Sequence, residues 1–380
     1  MGVVRRFHSG LLAGRMDLES LRQELDDLDS RLMAIAARRI QVVRRIGELK
    51  AGDDRPVFDR TRERDVYVRA RDNAAHAGLD PKVGEALLQT LVEAGHGLQE
   101  ELQPDSEAHR FCIVGGGGRM GTRIKRELEG RGHRVDVIEK DDPFSIAAEA
   151  DIVMLSVPMA RAASVARVIG PYLRSDALLC DVNSLKSEVC AAMAASHSGE
   201  ILGLHPMFGP SVHTFRRQKV VICKVRPGPL GGWLVAELGR LGMERIEASP
   251  EEHDRMMANV QVLTHFSTLV MGDALRRTGV GVRRSLEFTS PIYRLELAFV
   301  GRLFAQNPDL YAEIEMSNPH GESVRAGFRE AAEELTAILA AGDREAFRAR
   351  FAEVSAHFEG FDAEAMRLSD LLIDTLAARP

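Results

Sequence analysis

The 380-residue chain contains no apolar run approaching the ~18 residues that a membrane-crossing helix needs. A helical membrane protein is therefore not expected. It also lacks an excess of positive charge: 50 Lys and Arg stand against 56 Asp and Glu, for a formal net charge of −6. The basic residues are interspersed with acidic ones, so the one-sided basic face of a nucleic-acid-binding protein is missing. Cysteine is scarce. Cys112, Cys180, Cys190 and Cys223 show no metal-ligand spacing, and the expectation is four reduced, buried thiols in a cytoplasmic protein with no metal site. No internal repeat or low-complexity tract is present. What remains, 45% hydrophobic and 28% charged residues, is the composition of a soluble globular protein, long enough for two or three domains.

The start, "MGVVRRFHSGLLAGR", has two arginines and a short apolar pair but no hydrophobic signal core or cleavage site, and residues 1–15 read as a disordered leader. Leu18, Leu21, Leu25, Leu28, Leu32, Ile35, Val42, Ile46 and Leu49 then recur at three- and four-residue steps. That spacing predicts one long amphipathic helix over 17–50, with Asp17 as N-cap. Two short neighbours cannot cover so long a stripe, so a partner copy is expected. Helices near 59–77 and 81–102 follow, and Gln103, Pro104 and Asp105 make a linker. The helical N-terminal domain spans 16–103.

Past the linker the period changes. "RFCIVGGGG", "HRVDVIEK", "DIVMLSVP", "ALLCDVNS", "EILGLHP", "KVVICKV" and "MERIEASP" are short apolar strands separated by helical stretches. They predict a parallel, doubly wound, Rossmann-type sheet over 108–248. From residue 251 onward only helical patterns appear, so 249–380 forms an all-α third domain.

Gly116, Gly118 and Gly121 satisfy G-x-G-x-x-G directly after a strand and at the start of a helix, the context that gives this pattern meaning. The glycines permit the turn and close backbone approach, and the helix N-terminus, entered at Arg119 and Met120, offers free N–H groups to a pyrophosphate. Glu139 ends the second strand, where a carboxylate accepts from both ribose hydroxyls and repels a 2′-phosphate. NAD is the expected cofactor, with Lys140 softening its preference over NADP.

In an open parallel sheet the ligand crevice lies at the carboxyl ends of the strands. Three exits there are polar: Ser156 with Pro158, Asn183–Ser184–Leu185–Lys186, and His205 in "LGLHPMFGP". A hydride-transfer site needs a group to take a hydroxyl proton, and His205 suits that by type and place; capping of a turn is the alternative. Arg294 and Arg302 lie eight apart in "SPIYRLELAFVGRLFAQNP". Arg302, flanked by Phe299, Val300, Leu303 and Phe304, requires an anion or a carboxylate partner; an ion pair with Glu296 or Glu315 is the alternative, weightier for Arg294 than for Arg302. His253, between Glu252 and Asp254, reads as a surface or capping residue.

The motifs "VGGGGRMG", "VNSLKS", "LGLHPMFGP", "EHD" and "SPIYRLELAFVGRLFAQNPDLY" resemble those of prephenate dehydrogenases. The stretch "LRQELDDLDSRLMAIAARR…K" resembles the all-helical chorismate mutases. Over roughly residues 17–375 the chain is thus similar to the bifunctional chorismate mutase/prephenate dehydrogenase family of tyrosine biosynthesis. The resemblance implies a homodimer that rearranges chorismate to prephenate and then decarboxylates prephenate oxidatively with NAD. It makes His205 and Ser184 catalytic at the ring hydroxyl and Arg302 the carboxylate ligand. Lys186, His265 and Arg294 take supporting roles in substrate binding, and feedback inhibition by tyrosine is felt near His265.

In the mutase half the resemblance assigns Lys50 and Gln99 to the ether oxygen, and Arg22, Arg39 and Arg62 to the carboxylates, with Arg22 able to reach across from a second subunit. Glu63 meets the substrate hydroxyl and Asp59 a neighbouring polar group. A pericyclic rearrangement needs only a held conformation and stabilised ether charge. One position departs from the family, which often has serine where this chain has Gly95. The alternative is a dehydrogenase acting alone on prephenate or arogenate, its N-terminal helices a non-catalytic dimerisation or regulatory module.

Overall fold

The computed structural model describes residues 18–52, 60–101, 107–212 and 214–377, leaving out the side chains at 50–52, 60, 61, 63, 93 and 96–101. It divides into two compact units, residues 1–106 and 107–380. In the first, α1 (Leu18–Gly52), α2 (Arg60–His76) and α3 (Pro81–Glu101) follow one another, and α3 packs against both others. All nine apolar residues picked out by periodicity on α1 stay exposed, Leu18 at 64% and Leu49 at 74%. The stripe is therefore not covered within this unit. Asp17, the expected N-cap, lies outside the described residues, as do residues 1–15 and the linker at 103–105.

The α2–α3 crossing is close because of a glycine. A Cβ at Gly84 would sit 2.5 Å from Ala74 Cβ and 2.7 Å from the Ala70 carbonyl oxygen, and a backbone oxygen cannot step aside. Gly84→Ala is expected to loosen the pair by about 1–3 kcal/mol. Faster amide hydrogen exchange across α2 and α3 of the full chain would report it; unchanged exchange would show that the helices part at no cost.

The second unit opens with the expected alternation: β1 (Arg110–Val114), α4 (Arg119–Gly130), β2 (Arg134–Ile138), β3 (Ile152–Leu155), α5 (Met159–Ile169), β4 (Leu178–Asp181), α6 (Ser187–Ser196), β5 (Glu200–Pro206), β6 (Lys219–Arg226), α7 (Pro229–Arg240) and β7 (Glu244–Glu247). The strands make one sheet in the order β2-β1-β3-β4-β5-β6-β7. The order reverses at β1 and β3, so the two crossovers leave on opposite sides and open a crevice at their carboxyl ends. Apolar layers cover both faces, one around Val153, Ala166 and Met193, the other around Phe111, Ile113 and Leu178.

The expectation of a parallel sheet needs one correction. β6 runs antiparallel to β5, because the described residues between them, 207–212 and 214–218, contain no helix. A parallel return needs a crossover of a dozen or more residues, usually helical, and without one the chain folds straight back.

From residue 250 the described chain is helical: α8 (Pro250–Met257), a π-helical stretch Ala258–Leu263, α9 (Thr264–Arg277), α10 (Val282–Leu286), α11 (Pro291–Phe304), α12 (Pro308–Ser317), α13 (Gly321–Ala341), α14 (Arg344–His357) and α15 (Asp362–Ala377). Many of its large apolar side chains stay exposed, Phe288 at 76% and Met316 at 81% among them. No described helix is long and apolar enough to cross a membrane.

Candidate active site

The turn after β1 is shaped by glycine. Gly115 has φ +78°, and a Cβ there would lie 2.6 Å from the Ser156 carbonyl oxygen at the β3 exit. A Cβ on Gly121 would lie 2.7 Å from the Gly115 oxygen and the Gly116 Cα, so α4 can begin against the turn only with glycine there. α4 starts without a side-chain cap, which leaves the N–H groups of its first turn to an outside acceptor. Glu139 Oε1 accepts from the Gly117 N–H at 2.6 Å, placing a carboxylate beside this cradle. These residues fit a dinucleotide: glycine turn and helix N-terminus for the diphosphate, Glu139 for a ribose. Met120 packs its side chain into the apolar layer, so it offers its backbone alone, while Arg119 is exposed. Pro158 precedes α5 as its N-cap.

His205 lies one residue from the end of β5 and is 3% exposed. Its Nδ1 is 2.8 Å from His253 Nε2, and His253 Nδ1 is 2.8 Å from Asp254 Oδ1. The sequence reading of His253 as a surface residue is overturned, since His253 and Asp254 are 1% and 2% exposed. Ser249 caps α8 by accepting from the Glu252 N–H, which sets the helix so that its second turn arrives at the β4 and β5 exits. Asp254 there accepts the backbone N–H groups of Lys186 and Ser187, at 2.8 and 2.9 Å. It thereby caps the start of α6 from a distant element, a favoured place for an anion. Burial alone would raise its carboxyl; the bonds from His253 and Ser187 overcome that and hold it at about 2. Asn318, just past α12, donates from Nδ2 to the Asp254 carbonyl oxygen at 2.8 Å, tying the helical region to the same spot.

Lys186 needs a second correction. It is fully buried; its ammonium donates to Asp181, closing the apolar strand β4, and to the Leu204 carbonyl oxygen at 2.7 Å. Its stem has room because Gly203 has no side chain: a Cβ there would stand 3.0 Å from Lys186 Cδ. A residue so enclosed supports the exits rather than touching substrate. Asp181 also accepts the Asn183 N–H, and Asn183 donates to the Val157 carbonyl oxygen at 2.7 Å, which joins the β4 exit to the β3 exit. Ser184 is half-buried on the loop between β4 and α6.

Arg294 and Arg302 both lie exposed on α11 and form no ion pair among the described residues. Glu315, one of the expected partners, faces Arg325 instead at 3.6 Å. Burial raises the Tyr311 phenol, with the Arg302 charge opposing, and the Tyr311 ring meets His265 edge-on at 4.8 Å. Arg302, Tyr311 and His265 therefore form one neighbourhood. It adjoins a cavity of about 590 Å³ lined by Phe266, Leu303, Phe304, Tyr311, Glu315 and Arg325. His265 Nδ1 is buried without a partner among the described residues. It lies two residues past the π-helical stretch, a feature frequent at functional sites that periodicity did not show.

In the first unit Arg39 donates to the Leu91 carbonyl oxygen at 2.8 Å, which links α1 to α3. Arg22 is exposed and lies 3.6 Å from Glu19, and Arg62 is exposed. Asp59 and the side chains of Lys50, Glu63 and Gln99 lie outside the described residues. Gly95 is buried, and a Cβ there would be 2.9 Å from Val43 Cγ1. The missing hydroxyl at this position thus goes with tight packing of α3 on α1.

His253, Asp254 and Asp181 were the functional side chains that sequence reasoning missed. His253 stands four residues before Met257, also buried, so helical spacing could have put it on the inner face. An aspartate ending the strand "LLCD" must have a partner, and the lysine lies five residues on.

The chain is similar to known proteins along most of its length. Residues 21–100 match the family model described as chorismate mutase type II, 119–227 that of the prephenate dehydrogenase nucleotide-binding domain, and 249–353 that of the prephenate dehydrogenase dimerization domain. The chain is 32% identical over 362 residues to the T-protein of Haemophilus influenzae, covering 94% of this chain and 96% of that one. It is 34% identical over 350 residues to the T-protein of Enterobacter agglomerans, covering 90% and 93%. The crystal structure of Aquifex aeolicus prephenate dehydrogenase with hydroxyphenyl propionate and NAD+ superposes with a TM-score of 0.54 at 18% identity, over 67% of this chain and 98% of that one.

Proposed function

The chain belongs to the T-protein family, with a chorismate mutase and a prephenate dehydrogenase in one polypeptide, and from that premise we propose which residues carry each reaction. The mutase domain (16–103) rearranges chorismate to prephenate. Arg22, Arg39 and Arg62 hold the two carboxylates, Lys50 and Gln99 donate to the ether oxygen as the bond breaks, and Glu63 and Asp59 serve the hydroxyl side. The reaction asks only for a fixed conformer and stabilised developing charge.

The sheet domain (108–248) and the helical domain (249–380) oxidise prephenate. NAD, when bound, supplies the hydride acceptor; Gly116, Gly118 and Gly121 with the first turn of α4 hold its diphosphate, Glu139 its ribose, and Ser156 and Pro158 border it. His205 accepts a hydrogen bond from the ring hydroxyl and pushes electron density toward that carbon as its hydride leaves. The carboxylate on the opposite ring carbon departs as CO2, its electron pair enters the ring, and 4-hydroxyphenylpyruvate forms. Ser184 assists at the hydroxyl. Arg302 grips a substrate carboxylate, a task suited to a planar, permanently charged fork, and Arg294 and His265 support it. Tyrosine, which shares the product's ring and carboxylate, is the expected feedback inhibitor near His265. The exposed apolar stripe of α1 and the exposed apolar side chains of the C-terminal helices suit a homodimer, and four buried free thiols suit the reducing cytoplasm.

The observation that carries the dehydrogenase reading is His205 at a strand exit, with one ring nitrogen committed to His253 and none of the described residues bonded to the other. A coupled assay tests both halves: chorismate and NAD supplied together should yield prephenate first and NADH after it. NADH from added prephenate but not from chorismate would leave a dehydrogenase with inert N-terminal helices.

A further inference from the structure

We infer that His253 and Asp254 are positioning residues that fix the tautomer of His205, holding its single proton on Nδ1 and leaving Nε2 as a bare acceptor for the substrate hydroxyl. The inference rests on the dehydrogenase reading and adds the device that makes a buried imidazole a base.

The argument begins with groups that have no choice. The backbone N–H groups of Lys186 and Ser187 can only donate, one to each oxygen of Asp254. Both oxygens therefore accept, and with the carboxyl held at about 2 the side chain is a carboxylate. The nitrogen 2.8 Å from Oδ1, His253 Nδ1, must then carry a proton. A neutral imidazole has one N–H, so His253 Nε2 holds a lone pair. His205 Nδ1 is 2.8 Å from that lone pair and must donate to it. Its own proton is thereby placed, and Nε2 is the acceptor. The opposite assignment sets two lone pairs face to face in a dry site, an expensive arrangement.

All three residues are buried, at 3%, 1% and 2% exposure, which makes a mismatched pair of ring nitrogens costly. The same chain disposes of charge. As His205 Nε2 takes on positive character from the hydroxyl proton, the Nδ1–H bond to His253 strengthens, and the Asp254 carboxylate balances the charge two rings away. Asp254 is itself immobilised by the start of α6, and Asn318 anchors its backbone from the helical region. The orientation of His205 is therefore set by an element 48 residues further along the chain.

The test compares two substitutions with nitrogen-15 NMR of the histidine-labelled full-length enzyme. A packing role for His253 predicts that His253→Phe, which keeps a ring, does better than His253→Gln. Tautomer control predicts the reverse, since the glutamine carbonyl can accept from His205 Nδ1–H and a phenyl ring cannot. We expect prephenate turnover to fall by about 10²-fold or more in His253→Phe and to stay within roughly tenfold of the parent in His253→Gln. Urea unfolding followed by the fluorescence of Trp233, which lies on α7, serves as the check that the sheet-bearing unit has folded. Should His253→Phe not fold, the nitrogen shifts of the parent enzyme decide: both rings protonated on Nδ1 alone support the inference. A His205 proton on Nε2, a doubly protonated His253, or a phenylalanine variant that matches the glutamine variant overturns it. The shifts are read with or without turnover, so a protein that failed to oxidise prephenate would fail the dehydrogenase reading separately.

Discussion

Replacing His205 with asparagine is expected to lower kcat for prephenate oxidation by about 10³–10⁴-fold, the upper range for loss of a proton-handling side chain. Cofactor affinity should change little, because the glycine turn and Glu139 lie on β1, α4 and β2, and nothing in that cradle bonds to His205. The amide fills most of the space but cannot accept the hydroxyl proton. The pH profile is a sharper check. Burial lowers the His205 imidazole well below its ordinary 6.5, and the nearby His253 and Lys186 act in the same direction, while Asp254 opposes them. The base is therefore unprotonated through the neutral range. kcat/KM should stay flat as pH falls to 6.5 and drop only below it. The same group contributes stability that is present above its unfolded pKa and lost as pH falls through the lower folded one. An acid limb centred above 6.5 that survives in the asparagine variant would remove His205 from the mechanism.

The second large effect is structural. Asp181→Ala is expected to destabilise the sheet-bearing unit by about 3–5 kcal/mol, because it strands the Lys186 ammonium in a fully buried site. Both side chains are at 0% exposure, and burial raises the Asp181 carboxyl even against the lysine charge. Lys186→Met should cost a comparable amount by leaving the aspartate without its counter-charge. The double substitution Asp181→Leu with Lys186→Met should recover most of the loss, as buried ion pairs exchanged for apolar groups of similar volume often do. Urea unfolding followed by Trp233 fluorescence measures all three. A double variant no more stable than either single one would show that the pair is not held by charge compensation. Recovery of stability without recovery of turnover would locate the value of the pair in ordering Asn183, whose N–H Asp181 also accepts.

Much of the molecule was legible because its signals are local. An apolar residue every third or fourth position makes α1 a helix wherever it is placed, and glycines between an apolar strand and an amphipathic helix make a nucleotide turn. His205 was legible for a similar reason, as the polar residue where a buried strand ends. Direction was not: β6 reads as a strand like its neighbours, and only the lack of a helix among the described residues of 207–218 turns it antiparallel. The alternatives left open at single residues also needed distance. Arg302 could have paired with Glu296 or Glu315; Glu315 faces Arg325 from ten residues away, and Arg302 lies beside Tyr311.

The amino-acid order alone determined the elements, the sheet-forming segments and the dinucleotide turn, and it singled out His205 as the candidate base. The tertiary structure alone decided which groups that histidine and Lys186 meet. His205 meets His253 across 48 residues, and Asp254 meets the start of α6 across 67 and 68. Periodicity and propensity report what a residue does with neighbours three or four positions away. A buried polar atom takes its partner from whatever the packed chain delivers to it, and that is settled only when sheet and helices close around it.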